Sequence, residues 1–470
     1  DPGIRNQGKF GSYVHYSPPI LPCRLFTFFL EGFYNAVALL PILFPLCLIP
    51  IFPLYFELRM IYKLENTVQH YAWGSPVLIP EFLGSKNPGN EPWAELWMGA
   101  HPQAPSRCQP VAGNAGEGIP LDKLIASNPD TFLGKETAKA FDGQLPFLLK
   151  LLAAASPLSI QCHPSARQAR EGFARENRAG IPPGAGNRNY KDASHKPEII
   201  LALTPFSALR GLRPLGETIR FFSAFPIPAL SAAAALLEKN RDGGIQDFLR
   251  TLLCASHDEA RAWIEALKNE GGAARDTAEF RTFLHLADWY PEDSGCLAPF
   301  YLNLVDLKPG EALFLGPGEM HAYLAGLGVE LMANSDNVLR AGLTSKHIDI
   351  QELLACLSGT AAAAEILRPA GTGRGGFIEE EYPCRAQEFT LSILRPAVPA
   401  GMGKTAIETA GPEILFCGGG TAAVESAEGP CTLGRGESVF IPASQGTYTL
   451  SGTCTLYRAR VPSRKDADAE

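Results

Sequence analysis

Residues 307–315 (LKPGEALFL) and 433–441 (LGRGESVFI) share one pattern: Leu-x-x-Gly-Glu-small-apolar-Phe-apolar. They lie 126 residues apart. A Gly-containing turn that feeds a short apolar strand is common by itself. A match of this length points to a duplicated jelly-roll, because repeated strand-and-turn units signal a repeated architecture. Extending the alignment sets Thr447 opposite His321. The second copy therefore lacks the histidine of the first.

Between the copies and before them the pattern changes. Residues 60–205 carry short apolar runs broken by Gly, Pro and Asn, which read as strands and loops. Residues 213–296 read as helical. Ile245, Phe248, Leu249, Leu252 and Leu253 follow the spacing of one buried helix face. Ser256 precedes Glu259 by three residues, a capping box, and Ala260, Trp263, Ile264 and Leu267 form the next stripe. The expected architecture is mainly β with a helical insert. Its parts are a first jelly-roll domain from 60–212 and 297–368, the insert 213–296, and a second, metal-free C-terminal jelly-roll at 369–470.

The first 59 residues do not fit this scheme. Residues 32–56 are almost continuously apolar, long enough to span a bilayer. Pro41, Pro45, Pro50 and Pro53 interrupt the run, and each removes a helical hydrogen bond. No A-x-A cleavage site follows. The segment 1–59 is read as a hydrophobic extension outside the mature protein, with Met60 as the start; a membrane anchor and an amphipathic tether are the other readings.

The net charge of −8 provides no global basic field for nucleic acid or anionic membrane. The 11 cysteines contain no CxxC pair, which argues against a cysteine-rich zinc module and a disulfide framework. Reduced thiols in a cytoplasmic protein are expected.

Three segments carry chemistry. In Leu-Ser-Ile-Gln-Cys-His (158–163), strand alternation sets Ser159, Gln161 and His163 opposite Leu158, Ile160 and Cys162. An ordinary half-exposed strand would look the same. In His195-Lys196-Pro197-Glu198, Pro197 extends the residue before it, so Lys196 and Glu198 share one side and His195 takes the other. Gly316-Pro317-Gly318-Glu319-Met320-His321 is a turn that presents a histidine, although a lone histidine is usually structural. Together Gln161, His163, Glu198 and His321 offer two imidazoles, a carboxylate and an amide oxygen. That set suits catalytic Zn²⁺, and equally Fe²⁺ or Mn²⁺.

Further on, alternation sets Glu330, Met332 and Asn334 on one face, ahead of the polar turn 334–337. Arg340 and Lys346 follow within ten residues. These are either solvated surface charges or a proton-handling carboxylate with a cationic phosphate site. Lys150, flanked by Leu149 and Leu151, must reach a pocket, a partner or the surface.

Five blocks carry a resemblance to a known family: LENTVQHYAWGS (64–75), EPWAELWMGAHPQAPS (91–106), LPFLLKLLAAASPLSIQCHP (145–164), NYKDASHKPEIILALTPFSALRG (189–211) and LGPGEMHAYLAGLGVELMANSDNVLRAGLTSKHID (315–349). From Met60 onward the chain resembles the zinc-dependent type I mannose-6-phosphate isomerases, and residues 1–59 have no counterpart. The resemblance implies a cupin-like catalytic domain, a helical insert and a second jelly-roll. It implies one zinc per chain on Gln161, His163, Glu198 and His321, and a sugar-phosphate substrate, mannose 6-phosphate or fructose 6-phosphate. It matches Arg340, Lys196 and Glu330 to active-site positions. Glu330 is the first choice for proton transfer, with Lys196 assisting ring opening or steadying the enediolate. Lys150, Ser159 and Lys346 are phosphate candidates. No nucleic-acid partner, no membrane association and a monomeric state are expected. Two other readings stay open: a non-haem iron oxygenase and a non-catalytic sugar-phosphate sensor.

Overall fold

The duplicated pattern folds as the same turn twice. In the first copy the Lys308 N–H donates to Glu311 Oε2 at 3.0 Å. In the second the Gly434 N–H donates to Glu437 Oε2 at 2.8 Å. Gly310 and Gly436 hold φ at 91° and 87°, a region in which a Cβ is strained. The strands Ala312–Leu315 and Ser438–Ile441 leave these turns. The strands His321–Ala333 and Thr447–Arg460 come next.

The structure is a computed structural model that describes residues 60–111, 117–239, 244–270, 272–397 and 403–462. The extension 1–59, with its apolar run, lies outside the described residues. Among the described residues no helix is long and apolar enough to cross a membrane.

Two large sheets dominate. The ten-stranded sheet is organised around His321–Ala333. The first part of this strand pairs with Gln161–Cys162 and Phe206–Leu212. Its second part lies between Phe147–Ala154 and Glu198–Ala202. Every residue of Phe147–Ala154 and Glu198–Ala202 is buried, so polar side chains on them need partners.

The eleven-stranded sheet is built on Glu413–Ser426 paired with Thr447–Arg460. Its far side recruits the beginning of the described chain. Tyr62–Glu65 pairs antiparallel with Ser438–Ile441, Tyr62 opposite Phe440, and then with Arg107–Pro110. Residues before 212 thus complete the sheet formed by residues after 369, and cover what would otherwise be an exposed strand edge. One apolar core lies between the sheets and unites Leu149 and Leu151 with Phe389, Phe416 and Phe440.

Five α-helices run from Leu215 to Trp289 among the described residues. Phe248, Leu249 and Leu252 of Gly244–Leu253 are buried, as the spacing predicts. So are Ala260, Trp263, Ile264 and Leu267 of His257–Glu270. Ser256 and Glu259 form the reciprocal capping bonds. The insert's core of Phe222, Phe248, Phe283 and Phe300 also contains Ile160 and Cys162, so it backs the segment that carries Gln161 and His163.

Residues 60–205 hold more helix than their runs suggest. The longest such helix is Ala166–Arg178, opened by a Ser165/Gln168 capping box. Its buried face is made of Ala169, Gly172 and Glu176, so no apolar stripe announces it. Gly172 is required there, because a Cβ would lie 2.4 Å from the Tyr190 ring.

Candidate metal centre and active site

His163 ends the segment after Gln161–Cys162, Glu198 opens the strand Glu198–Ala202, and His321 opens His321–Ala333. The sheet brings the three together. One ligand atom from each lies within 4.8 Å of the others, and all three residues are buried. Both rings aim Nε2 at one oxygen, Glu198 Oε2, at 3.3 Å from His163 and 3.2 Å from His321. His163 Nδ1 is 2.7 Å from the Asn337 carbonyl oxygen, and His321 Nδ1 is 3.0 Å from that of Glu319. With Nδ1–H donating to a carbonyl, each Nε2 is left as a ligand atom, the arrangement that orients metal-binding imidazoles. His163 Nε2 is buried without a hydrogen-bond partner, which is costly unless something else occupies it.

The electrostatics agree with a ligand set. Burial pushes the His163 pKa down to about 4, so the ring is neutral near pH 7. Burial opposes ionisation of Glu198, but Lys196 and the two histidines outweigh it and hold its pKa well below the usual carboxylate range. Lys196 Nζ lies 2.6 Å from Glu198 Oε1. Gln161 sits opposite His321 in the sheet and lines the same inner cavity as Glu198 and His321. Among the described residues this is the one cluster of three or more His, Cys, Asp or Glu side chains with metal-ligand spacing. Two imidazoles, one of them with an orphaned buried nitrogen, a carboxylate and an adjacent amide fit a divalent metal.

The inner cavity, about 60 Å³, is also lined by Glu95, Lys150, Lys196, Tyr323 and Glu330. It adjoins a cleft of about 530 Å³ that contains Ser159, Arg340 and Lys346; Glu95 and Gln161 line both. Arg340 and Lys346 have no carboxylate partner among the described residues. Burial lowers the pKa of both, and at Lys346 the nearby Arg340 adds to the effect. Partly desolvated, unneutralised cations attract anions.

Family comparisons agree with this geometry. The phosphomannose isomerase type I catalytic-domain model matches residues 61–215, and the mannose-6-phosphate isomerase cupin-domain model matches residues 402–461. Mannose-6-phosphate isomerase from Escherichia coli (strain K12) is 41% identical over 400 residues, covering 84% of this chain and 98% of that protein. The chain belongs to the type I phosphomannose isomerase family. The Homo sapiens member is 32% identical over 414 residues, covering 82% of this chain and 94% of its own. A zinc-bound holo mannose 6-phosphate isomerase superposes with a TM-score of 0.77 at 39% identity, covering 86% of this chain and 100% of that one.

Lys150, read from sequence as a phosphate candidate, lies between two carboxylates, 3.0 Å from Glu330 Oε2 and 3.4 Å from Glu95 Oε1. Its ammonium is thus paired on both sides, while it also lines a cavity with Lys196 and Arg340. Burial raises the Glu330 pKa, and the Lys150 ammonium only partly offsets this. Glu95 is the residue that sequence reasoning missed. It lies in the EPWAELWMGAHPQAPS block and accepts from Trp97 Nε1 at 2.6 Å. A buried Lys on an all-apolar strand was the signal that a carboxylate must lie beside it. His195 points away from the metal cluster, as the alternation across Pro197 predicts, and pairs with Glu388 at 2.6 Å. Asn334 lines a different cavity from Glu330, because the chain turns there.

Proposed function

We propose that this chain interconverts D-mannose 6-phosphate and D-fructose 6-phosphate through an enediol, with one zinc held by Gln161, His163, Glu198 and His321. The observation that carries the reading is a pair of cavities that share Glu95, Leu158 and Gln161. The inner one is lined by Glu198 and His321 of the His-Glu-His cluster and by the lysine-paired Glu330, and the other by the two unneutralised cations Arg340 and Lys346.

Bound zinc supplies Lewis-acid polarisation of the substrate oxygens that exchange protons. Arg340, Lys346 and Ser159 bind the phosphate end and the developing oxyanion, with Arg340 suited to bidentate contact. Glu330 takes the proton from C2 of the aldose and returns it at C1. Its burial makes it a stronger proton acceptor than a solvated carboxylate, and Lys150 holds it in place. Lys196, beside Glu198, donates toward a substrate oxygen during ring opening or enediolate formation. The protein acts as a cytoplasmic monomer in this reading.

An isomerase assay coupled to metal analysis tests the proposal. Zinc-loaded protein is expected to equilibrate the two sugar phosphates, to lose activity on chelation and to recover it with zinc. Stoichiometric iron with oxygen-dependent turnover would favour an oxygenase, and binding without turnover would favour a sensor.

A further inference from the structure

The helical insert sends two aromatic residues to the substrate cleft. Trp289 is the last residue of the helix Ala278–Trp289, and Tyr290 caps it. Both line the cleft that contains Ser159, Gln161, Arg340 and Lys346. Phe280, Phe283, Leu286 and Ala287 already form the buried face of that helix, whereas Trp289 is 52% exposed. The insert therefore does not need the indole for its own core. A large exposed aromatic on a cleft wall is the informative kind of exposure.

The chain that follows the indole is tied down. The Tyr290 hydroxyl donates to the Pro157 carbonyl at 3.0 Å, next to the segment of Ser159. The Asp293 carboxylate accepts from the Thr344 N–H at 3.1 Å, next to the loop of Lys346. The end of the insert is thus tied to both segments that supply cations and hydroxyl to the cleft. Tyr71 and Trp73, stacked with centroids 5.7 Å apart, line the same cleft. The result is a cleft with aromatic surfaces and a polar, cationic floor.

We propose that Trp289 is a specificity-determining residue, a stacking wall supplied by the helical insert that recognises the sugar part of the substrate. This rests on the sugar-phosphate reading above. The C–H face of a hexose is apolar and slightly positive, and the indole face is negative, so the two stack favourably. Arg340 and Lys346 hold the anion, and Trp289 distinguishes a phosphate that carries a hexose from one that does not.

The test is Trp289→Ala and Trp289→Phe in the zinc-loaded full chain, by steady-state kinetics and by calorimetric titration with mannose 6-phosphate. Trp289→Ala is expected to raise KM and Kd by up to about ten-fold, with kcat and zinc content little changed. Trp289→Phe should recover most of that loss. Inhibition by inorganic phosphate should be the same in all three proteins, because phosphate lacks the hexose face. Unchanged Kd in Trp289→Ala overturns the proposal. So does a joint fall in kcat, zinc and melting temperature that Phe does not rescue, since that pattern is structural. If the wild type binds mannose 6-phosphate without isomerising it, the functional reading falls while the Kd comparison still decides the wall; no binding by the wild type overturns both.

Discussion

Glu198 and Glu413 hold corresponding places in the two halves of the duplicated fold. Each opens a strand, and each pairs with the last residue of the repeated strand, Leu315 for Glu198 and Ile441 for Glu413. Their surroundings differ. Glu198 faces two imidazoles, one with a buried unpartnered nitrogen, and a lysine. Glu413 faces Arg458, whose Nε donates to Glu413 Oε2 at 2.9 Å, and Tyr448, whose hydroxyl donates to the same oxygen at 2.9 Å. Arg458 Nη1 donates to Glu379 at 2.9 Å, and Ser392 donates to Glu379 at 2.8 Å. The second half carries its cation covalently, on its own chain. The first half also has a cation on its own chain, Lys196, but adds two imidazoles that could hold an ion beside Glu198. A buried carboxylate needs a positive partner in either case; imidazoles beside it, in place of further arginine and tyrosine contacts, make the site available for chemistry.

This contrast can be broken at several places. The largest effect is expected for His163→Ala and His321→Ala, each of which should lose bound zinc and isomerase activity together. Full zinc occupancy in His321→Ala, by elemental analysis, would reject the ligand set. Next is Glu330→Gln, which keeps shape but removes proton acceptance. It should lower kcat by roughly 10²–10⁴ with modest change in KM. Solvent-hydrogen exchange at C2 of mannose 6-phosphate is the sharper readout, and a wild-type exchange rate in this variant would move the base to another residue, Lys196 first.

Arg458→Met addresses the other half. It leaves Glu413 buried without its arginine, a change that typically costs about 3–5 kcal/mol. Denaturant unfolding should show that loss while zinc per folded chain stays unchanged. A loss of zinc without a loss of stability would mean that the halves are not divided in this way. The smallest effect is expected for Thr447→Ala. Thr447 stands where His321 stands in the first copy, but it is exposed and pairs with Glu408 at a sheet position. Neither zinc content nor activity should change.

Much of this contrast was legible before any coordinates. The two turns are written in Gly310-Glu311 and Gly436-Glu437, because the positive φ and the carboxylate cap are local requirements. The absence of a histidine at 447 follows from the same alignment. Alternation across Pro197 separates Lys196 and Glu198 from His195, and the structure keeps that division. Leu158 departs from its alternation, since it lines both cavities beside Ser159 and Gln161.

Local sequence determined which residue types could bind a metal, which faces most of them occupied and where two of the insert's five helices ran. Those properties depend on neighbours within a turn or a few strand residues. Tertiary structure alone decided who meets whom. Lys150 finds Glu330 because register places them opposite each other across 180 residues, and Glu95 because another strand pairs on the other side. Tyr62–Glu65 joins a sheet whose other strands lie at the far end of the chain. Trp289 reaches the cleft through the packing of an insert whose own pattern describes only its core. Periodicity specifies the face a side chain takes, but the element beyond that face is chosen by strand pairing and packing between distant segments.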